Sequence, residues 1–144
     1  MTDKCPGQHS VSVAGVIVDD QHRALLIRRR DNQHWEPPGG ILEREESIQA
    51  GVCREVREET GLSVTPFNLS GVYKNISRGI ISLVFRCQVL NGELTTNDEV
   101  SDFRWATREE VTSLVNEAFA VRVLDALEEH TAPAVRQHDG VHLI

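Results

Sequence analysis

The sequence predicts an α/β protein in which a mixed sheet lies between helices. Three observations lead there. Two runs rich in aliphatic and β-branched residues, HSVSVAGVIVDD from His9 and then Ala24 to Ile27, open the chain. A helix-length stretch that stops at Gly61 follows them. Further strand-like runs and a second amphipathic stretch complete the order strand, strand, helix, several strands, helix, which is the pattern of a layered domain around one core.

The 144 residues suit one domain, expected over residues 9–130 with residues 131–144 as a C-terminal tail. Acidic residues number 22 and basic residues 15, so the formal charge is −7. That balance argues against non-specific nucleic-acid binding. An acidic protein that handles an anion must bring cations to its site. Cys5, Cys53 and Cys87 are odd in number and lack a C-x-x-C spacing, so they read as free thiols of a reducing compartment. No apolar run reaches the length of a membrane span, and the first residues lack a signal-peptide pattern. The expectation is a cytoplasmic protein with no membrane partner.

Val11, Val13, Ile17 and Val18 give the first strand its apolar content, and Asp19-Asp20-Gln21-His22 is a turn. The second strand then pairs with the first as a hairpin. Arg28, Arg29 and Arg30 follow as forked donors for phosphate oxygens. Alternate strand residues face opposite ways, so they cannot all reach one ligand; Arg28 and Arg30 are the candidates. Trp35 either packs or stacks on a base. Pro37 and Pro38 then fix the approach to Gly39-Gly40, which permits a close turn.

Ser47 is a helix N-cap and Gly61 a left-handed stop. Between them Ile48, Val52 and Val56 form one apolar stripe at helical spacing. Glu55, Glu58 and Glu59 share a face at i, i+3 and i+4. Two carboxylates about 5.5 Å apart repel by about 3 kcal/mol at an effective dielectric of 20. Arg54 relieves part of that, while Arg57 projects to another side. A hard divalent cation with oxygen ligands would reverse the sign of the interaction. An acidic, solvated helix is the plain alternative.

Beyond the helix, Ser63 to Ser70 is extended and interrupted by Pro66. Gly71 to Ile76 and Ile80 to Leu90 read as strands joined by a loop from Asn75 to Gly79, and Asn91-Gly92 is a turn signal. Tyr73 and Phe85 are core candidates before they are pocket candidates. An acidic loop, Asn97-Asp98-Glu99, enters a short strand that ends in Trp105. Thr107 opens a Thr-x-x-Glu capping box. Glu117 to Glu129 is an amphipathic helix with Phe119, Val123, Leu124 and Leu127 inward. His138, Asp139 and His142 suggest metal ligands, with nothing else in the pattern that zinc needs.

The stretch from Gly40 to Leu62 resembles the Nudix box, written G-x5-E-x7-R-E-U-x-E-E-x-G-U with U a bulky aliphatic. Gly40, Glu46, Arg54, Glu55, Val56, Glu58, Glu59, Gly61 and Leu62 fill every specified place. The resemblance to the Nudix hydrolase family implies an α/β/α sandwich with the box helix against one sheet face. It also implies a Mg²⁺-dependent (or Mn²⁺-dependent) hydrolase acting on the diphosphate linkage of a small nucleotide. By the same resemblance Glu55, Glu58, Glu59 and the carbonyl of Gly40 are the metal ligands, and Glu46 braces the loop, with the outer metal shell as its other place. Arg54 orients Glu55 or pairs with a neighbouring acid. The general base is Glu55 or a distal acid, Glu99 with Asp98 as its alternative. Trp35-Glu36 before the Pro-Gly-Gly run is similar to the branch that cleaves nucleoside triphosphates to monophosphate and pyrophosphate. Ile41 and Leu42 depart from that branch's usual Lys-containing continuation. The other readings are an ADP-ribose or nucleotide-sugar pyrophosphatase, and a nucleotide-sensing module that does not hydrolyse. A homodimer is compatible with the family.

Overall fold

The computed structural model describes residues 7–129 and 132–144. Cys5 and the expected boundary between residues 130 and 131 lie outside them. The elements run β1 (Ser10–Ile17), β2 (Ala24–Arg29), β3 (Trp35–Glu36), β4 (Gly39–Ile41), α1 (Ile48–Thr60), β5 (Leu62–Asn75), β6 (Ile80–Gly92), β7 (Val100–Ala106), α2 (Arg108–Leu114), α3 (Glu117–Leu127) and β8 (Ala134–His138). A mixed five-stranded sheet has the order β4-β1-β6-β5-β8, and β3-β2-β7 form a smaller antiparallel sheet. Val52 and Val56 of α1 pack with Val13, Ile17 and Leu25 on one side. Val111 of α2 and Val123 and Leu127 of α3 pack with Val16, Leu26 and Tyr73 on the other. These layers are the α/β/α arrangement expected.

The expected hairpin of the first two strands does not form. β1 pairs with β4 and β6, β2 pairs with β3 and β7, and a single bridge joins Val18 to Ala24. Both strands are apolar on both faces: Val13 and Ile17 serve one core and Ala14 and Val16 the other, as do Leu25 and Leu26 of β2. A strand buried on both faces takes a central place with neighbours on each side, and each finds it in a different sheet. The Asp19 carboxylate accepts from the Gln21 and Arg23 amides and turns the chain between them.

Three further departures have local causes. Ile48 is exposed, because Leu42 lies against Gly51 and covers the first turn of α1 in its place. The extended run and strand read as separate pieces around Pro66 are one strand, β5, which passes the proline through a register shift between Pro66 and Asn68. Residues 134–138, within the stretch read as a tail, form β8 and pair in parallel with β5. Asp125 of α3 clasps that edge: it accepts from the Tyr73 hydroxyl at 2.7 Å and from Arg136 of β8 at 2.7 and 2.8 Å. Tyr73 is therefore core, and burial pushes its hydroxyl pKa up. The capping box of Thr107 and Glu110 is present on α2. Cys53 and Cys87 are free thiols, and burial pushes the Cys87 thiol up to about 12.

His138, at the end of β8, has no exposed surface. Its Nδ1 accepts the Gly140 N–H at 2.9 Å, so the ring is held neutral. Burial first, then the Arg122 charge, keep its pKa below the ordinary 6.5, against a smaller opposing pull from Asp139. As the pH falls below 6.5 the unfolded chain takes up a proton that the folded chain refuses. The stability from neutral His138 is thus complete above 6.5 and declines as pH falls toward the lower folded value. In thermal melts from about pH 7.5 to about pH 5, the wild-type Tm should fall more steeply than that of His138→Gln. Parallel curves would show that His138 does not titrate on unfolding.

Candidate active site

The site begins where β4 meets β1. Gly39 pairs with Ala14, and a Cβ on Gly39 would lie 2.4 Å from the Val13 carbonyl oxygen. One residue on, a Cβ on Gly40 would lie 2.6 Å from the carboxylate of Glu55. The bare turn lets that carboxylate reach the backbone. α1 is aimed at the turn by its ends: the Ser47 hydroxyl accepts the Ala50 N–H at 3.1 Å, and Gly61 leaves at φ 84° with its N–H on the Arg57 carbonyl.

Arg54 is the hub of the helix face. Its Nε and Nη2 hold both oxygens of Glu46 at 2.9 and 2.6 Å, Nη1 reaches Glu55 at 2.9 Å and Glu58 at 3.4 Å, and Nη2 also meets the Ile41 carbonyl. Glu46 in turn accepts the Glu43 N–H, closing the acidic loop. The guanidinium holds the Glu46 carboxyl down at about 2. Arg57 points elsewhere and donates to the Ser63 hydroxyl.

Glu59 is the buried member, 7 % exposed, and its Oε1 accepts the Gly39 N–H at 2.7 Å. Burial pushes its pKa up to about 8 against that bond, with Glu55, Glu36 and Glu99 adding repulsion. Burial likewise raises Glu55; Arg54 opposes it and Glu58 and Glu99 add to it. A cavity of 170 Å³ opens beside Glu59, lined also by Glu99 and Asp98 of the loop before β7 and by Arg29 and Arg30 of the β2 end.

Among the described residues no group of three His, Cys, Asp or Glu side chains stands at metal-holding spacing. Arg54 bridges Glu55 and Glu58, and Glu59 is turned to Gly39. In chemistry the donors nevertheless suit a hard cation: they are all oxygen, burial raises both Glu55 and Glu59, and beside Glu59 no protein cation offsets the repulsion from neighbouring acids. Glu58, with a side chain 57 % exposed, is free to turn away from Arg54.

The structure brings Glu55, Glu58, Glu59, Glu99, Arg54, Glu46, Gly40 and Arg30 into one region. Arg28 lies apart, its guanidinium 5.9 Å from the centre of the Trp35 ring. Arg29, which alternation passes over, lines the cavity with Arg30, while holding Asp31 and Glu36. A register shift between Arg28 and Arg29 breaks the strict alternation, so the sequence neighbours Arg29 and Arg30 both reach the cavity while Arg28 does not. Trp35 lines a second, larger opening of 560 Å³ together with Arg29, Asn75 and Phe119. His138 and Asp139 make turn bonds, and no metal-holding group forms around them among the described residues.

Comparison with known proteins agrees with this geometry. The NUDIX domain model matches residues 8–127. A MutT-like protein of Streptomyces ambofaciens is 52 % identical over 139 residues, 96 % of this chain and 90 % of that one. An ADP-ribose pyrophosphatase of Methanocaldococcus jannaschii is 37 % identical over 100 residues, 65 % of this chain and 59 % of that one. The crystal structure of an ADP-ribose pyrophosphatase from Streptococcus suis superposes with a TM-score of 0.76 at 22 % identity, covering 89 % of this chain and 99 % of that one. Members of this family generally use divalent metal ions and act on small nucleotide substrates. With the box filled, the fold shared and the family model covering most of its length, the chain belongs to the Nudix hydrolase family.

Proposed function

We propose that this enzyme is a divalent-metal-dependent pyrophosphohydrolase that converts nucleoside triphosphates to monophosphate and pyrophosphate. The observation that carries the reading is the cavity in which Arg29 and Arg30 stand beside Glu59 and Glu99. It offers cations for phosphate oxygens next to carboxylates suited to a hard ion. Glu55, Glu58, Glu59 and the Gly40 carbonyl would hold Mg²⁺ or Mn²⁺, with Glu58 released from Arg54. Such an ion supplies positive charge that neutralises the anhydride oxygens and favours in-line attack.

The chain's own residues do the rest. Arg29 and Arg30 orient the phosphates, and Arg54 holds Glu55 in place and opposes the rise that burial imposes on its pKa. Glu99 takes the proton of the attacking water, a role supported by a carboxylate that makes no hydrogen bond or ion pair among the described residues. The water oxygen then bonds to phosphorus, the anhydride P–O bond breaks, and pyrophosphate leaves. The Trp35-Glu36 sequence before Pro37 supports the triphosphate branch. A second reading, ADP-ribose hydrolysis, is favoured by the Methanocaldococcus relative.

Purified protein with Mg²⁺ or Mn²⁺ and a panel of nucleoside triphosphates and ADP-ribose separates these readings. Pyrophosphate from the triphosphates is the expected product, seen by phosphorus NMR. Ribose 5-phosphate from ADP-ribose alone would move the assignment to the second reading. Binding of the panel without turnover would replace both with a nucleotide sensor.

A further inference from the structure

Beside the phosphate site, with Gly40 in its wall, lies a cavity of 170 Å³ between β1, β6 and α3. Its floor holds Arg122, which is 7 % exposed and makes no salt bridge among the described residues, with Glu36 acting on it only at longer range. Nε is sealed from solvent with no acceptor. Nη2 stands 3.2 Å from Nε2 of His138. That ring, however, already accepts the Gly140 N–H through Nδ1, and a neutral imidazole has one acceptor nitrogen. Nε2 therefore carries hydrogen and offers Arg122 nothing. The guanidinium is left with ring faces, Phe119 at 4.5 Å and Tyr73 at 5.5 Å, as its companions. Among the described residues Nη1 makes no hydrogen bond, and Arg122 lines both this cavity and the adjoining one that holds Glu36 and Gly39. Burial draws the Arg122 pKa down to about 10, so the group stays charged at neutral pH.

A second buried polar side chain, Asn75, lines this space and also the larger opening beside Gly140. Asn75 is 8 % exposed, and its Oδ1 accepts the Arg78 N–H at 3.2 Å. That bond fixes the amide so that the NH₂ end is the free one, and Asn75 lines the cavity with Arg122. Buried donors left without acceptors cost free energy unless a ligand supplies them. Val11, Ile80 and Phe119 give the remaining walls an apolar character that suits a planar ring better than a hydrated anion.

We propose that Arg122 and Asn75 read the oxo edge of the substrate's base, so that the enzyme prefers oxo bases to their amino counterparts. The inference rests on the nucleotide-hydrolase reading above. A carbonyl at position 6 of a purine or 4 of a pyrimidine accepts from both donors. An amino group at the same position sets donor against donor and leaves them unpaired.

Two substrate pairs test this edge, ITP against ATP and UTP against CTP; in each the oxo group gives way to an amino group and the adjacent ring nitrogen changes from donor to acceptor. The oxo member should have the higher kcat/KM, by about tenfold or more. In Arg122→Met the preference should shrink to about threefold or less, through loss of the oxo substrate's advantage. Asn75→Asp keeps an acceptor for Arg78 N–H and presents a second one to the cavity, so it should move the preference toward the amino member. Equal kcat/KM within both pairs, or a preference that survives Arg122→Met in protein with an unchanged circular dichroism spectrum, overturns the proposal. If no triphosphate is hydrolysed, calorimetric binding of IMP against AMP decides it separately. Tighter IMP binding upholds the base site while the hydrolase reading falls, and equal binding sinks the base site as well.

Discussion

Glu59→Gln should lower turnover by about 10²- to 10³-fold, the loss expected when several kcal/mol of charge stabilisation disappears. The same change should raise the stability of the metal-free protein. Glutamine Oε1 can still accept the Gly39 N–H that the Glu59 carboxyl now holds at 2.7 Å. It carries no charge into a pocket where burial and the acids Glu55, Glu36 and Glu99 lift the carboxyl to about 8. The gain is read where the wild-type group is ionised, at about pH 9 with a chelator present, as a rise in Tm of about 2–5 °C. Opposite signs for activity and stability separate a charge kept for function from a structural contact. A variant that loses both would make Glu59 a brace for the Gly39 turn, and one that keeps its turnover would remove it from the ligand set.

Arg54→Ala is expected to damage the fold as well as the chemistry. One guanidinium serves Glu46, Glu55, Glu58 and the Ile41 carbonyl, and its loss leaves the side chains of Glu46 and Glu55, 15 % and 13 % exposed, facing each other. Stranding one partner of a buried pair costs about 3–5 kcal/mol. Because the Arg54 side chain keeps a quarter of its exposure, solvent screens part of this and the loss expected is about 2–3 kcal/mol. Arg54→Lys should recover little, since an ammonium cannot span two oxygens of Glu46 and still reach Glu55. Urea unfolding of the three proteins tests this, and a lysine variant as stable as wild type would refute the bidentate account. Turnover should fall in both variants, because Glu55 loses the group that holds it against Gly40.

What could be read from the sequence was what depends on near neighbours along the chain. The carboxylates of α1, the Ser47 and Gly61 stops and the Thr107–Glu110 box all follow from spacings within one helix. The sheet order did not, because strands buried on both faces carry no alternation to say which neighbour each takes. Arg29 was passed over because a bulge resets the period on which the choice of Arg28 and Arg30 was made. Arg122 was hidden differently: on an amphipathic helix an arginine reads as solvent-facing, and only the packing of Phe119, Tyr73 and His138 around it turns it inward. Asn75 sits where a connecting loop was expected, and its amide direction is set by the Arg78 backbone.

The clasp of Tyr73, Asp125 and Arg136 has a consequence for selectivity. It moors the outermost strand to the helix that also bears Phe119 and Arg122. Shifts in that strand bear directly on the helix that carries the floor on which a base would rest, whereas they reach the glutamates of α1 only by way of β5. Discrimination between nucleotides can drift through changes at one margin of the molecule while the bond-breaking apparatus stays as it was.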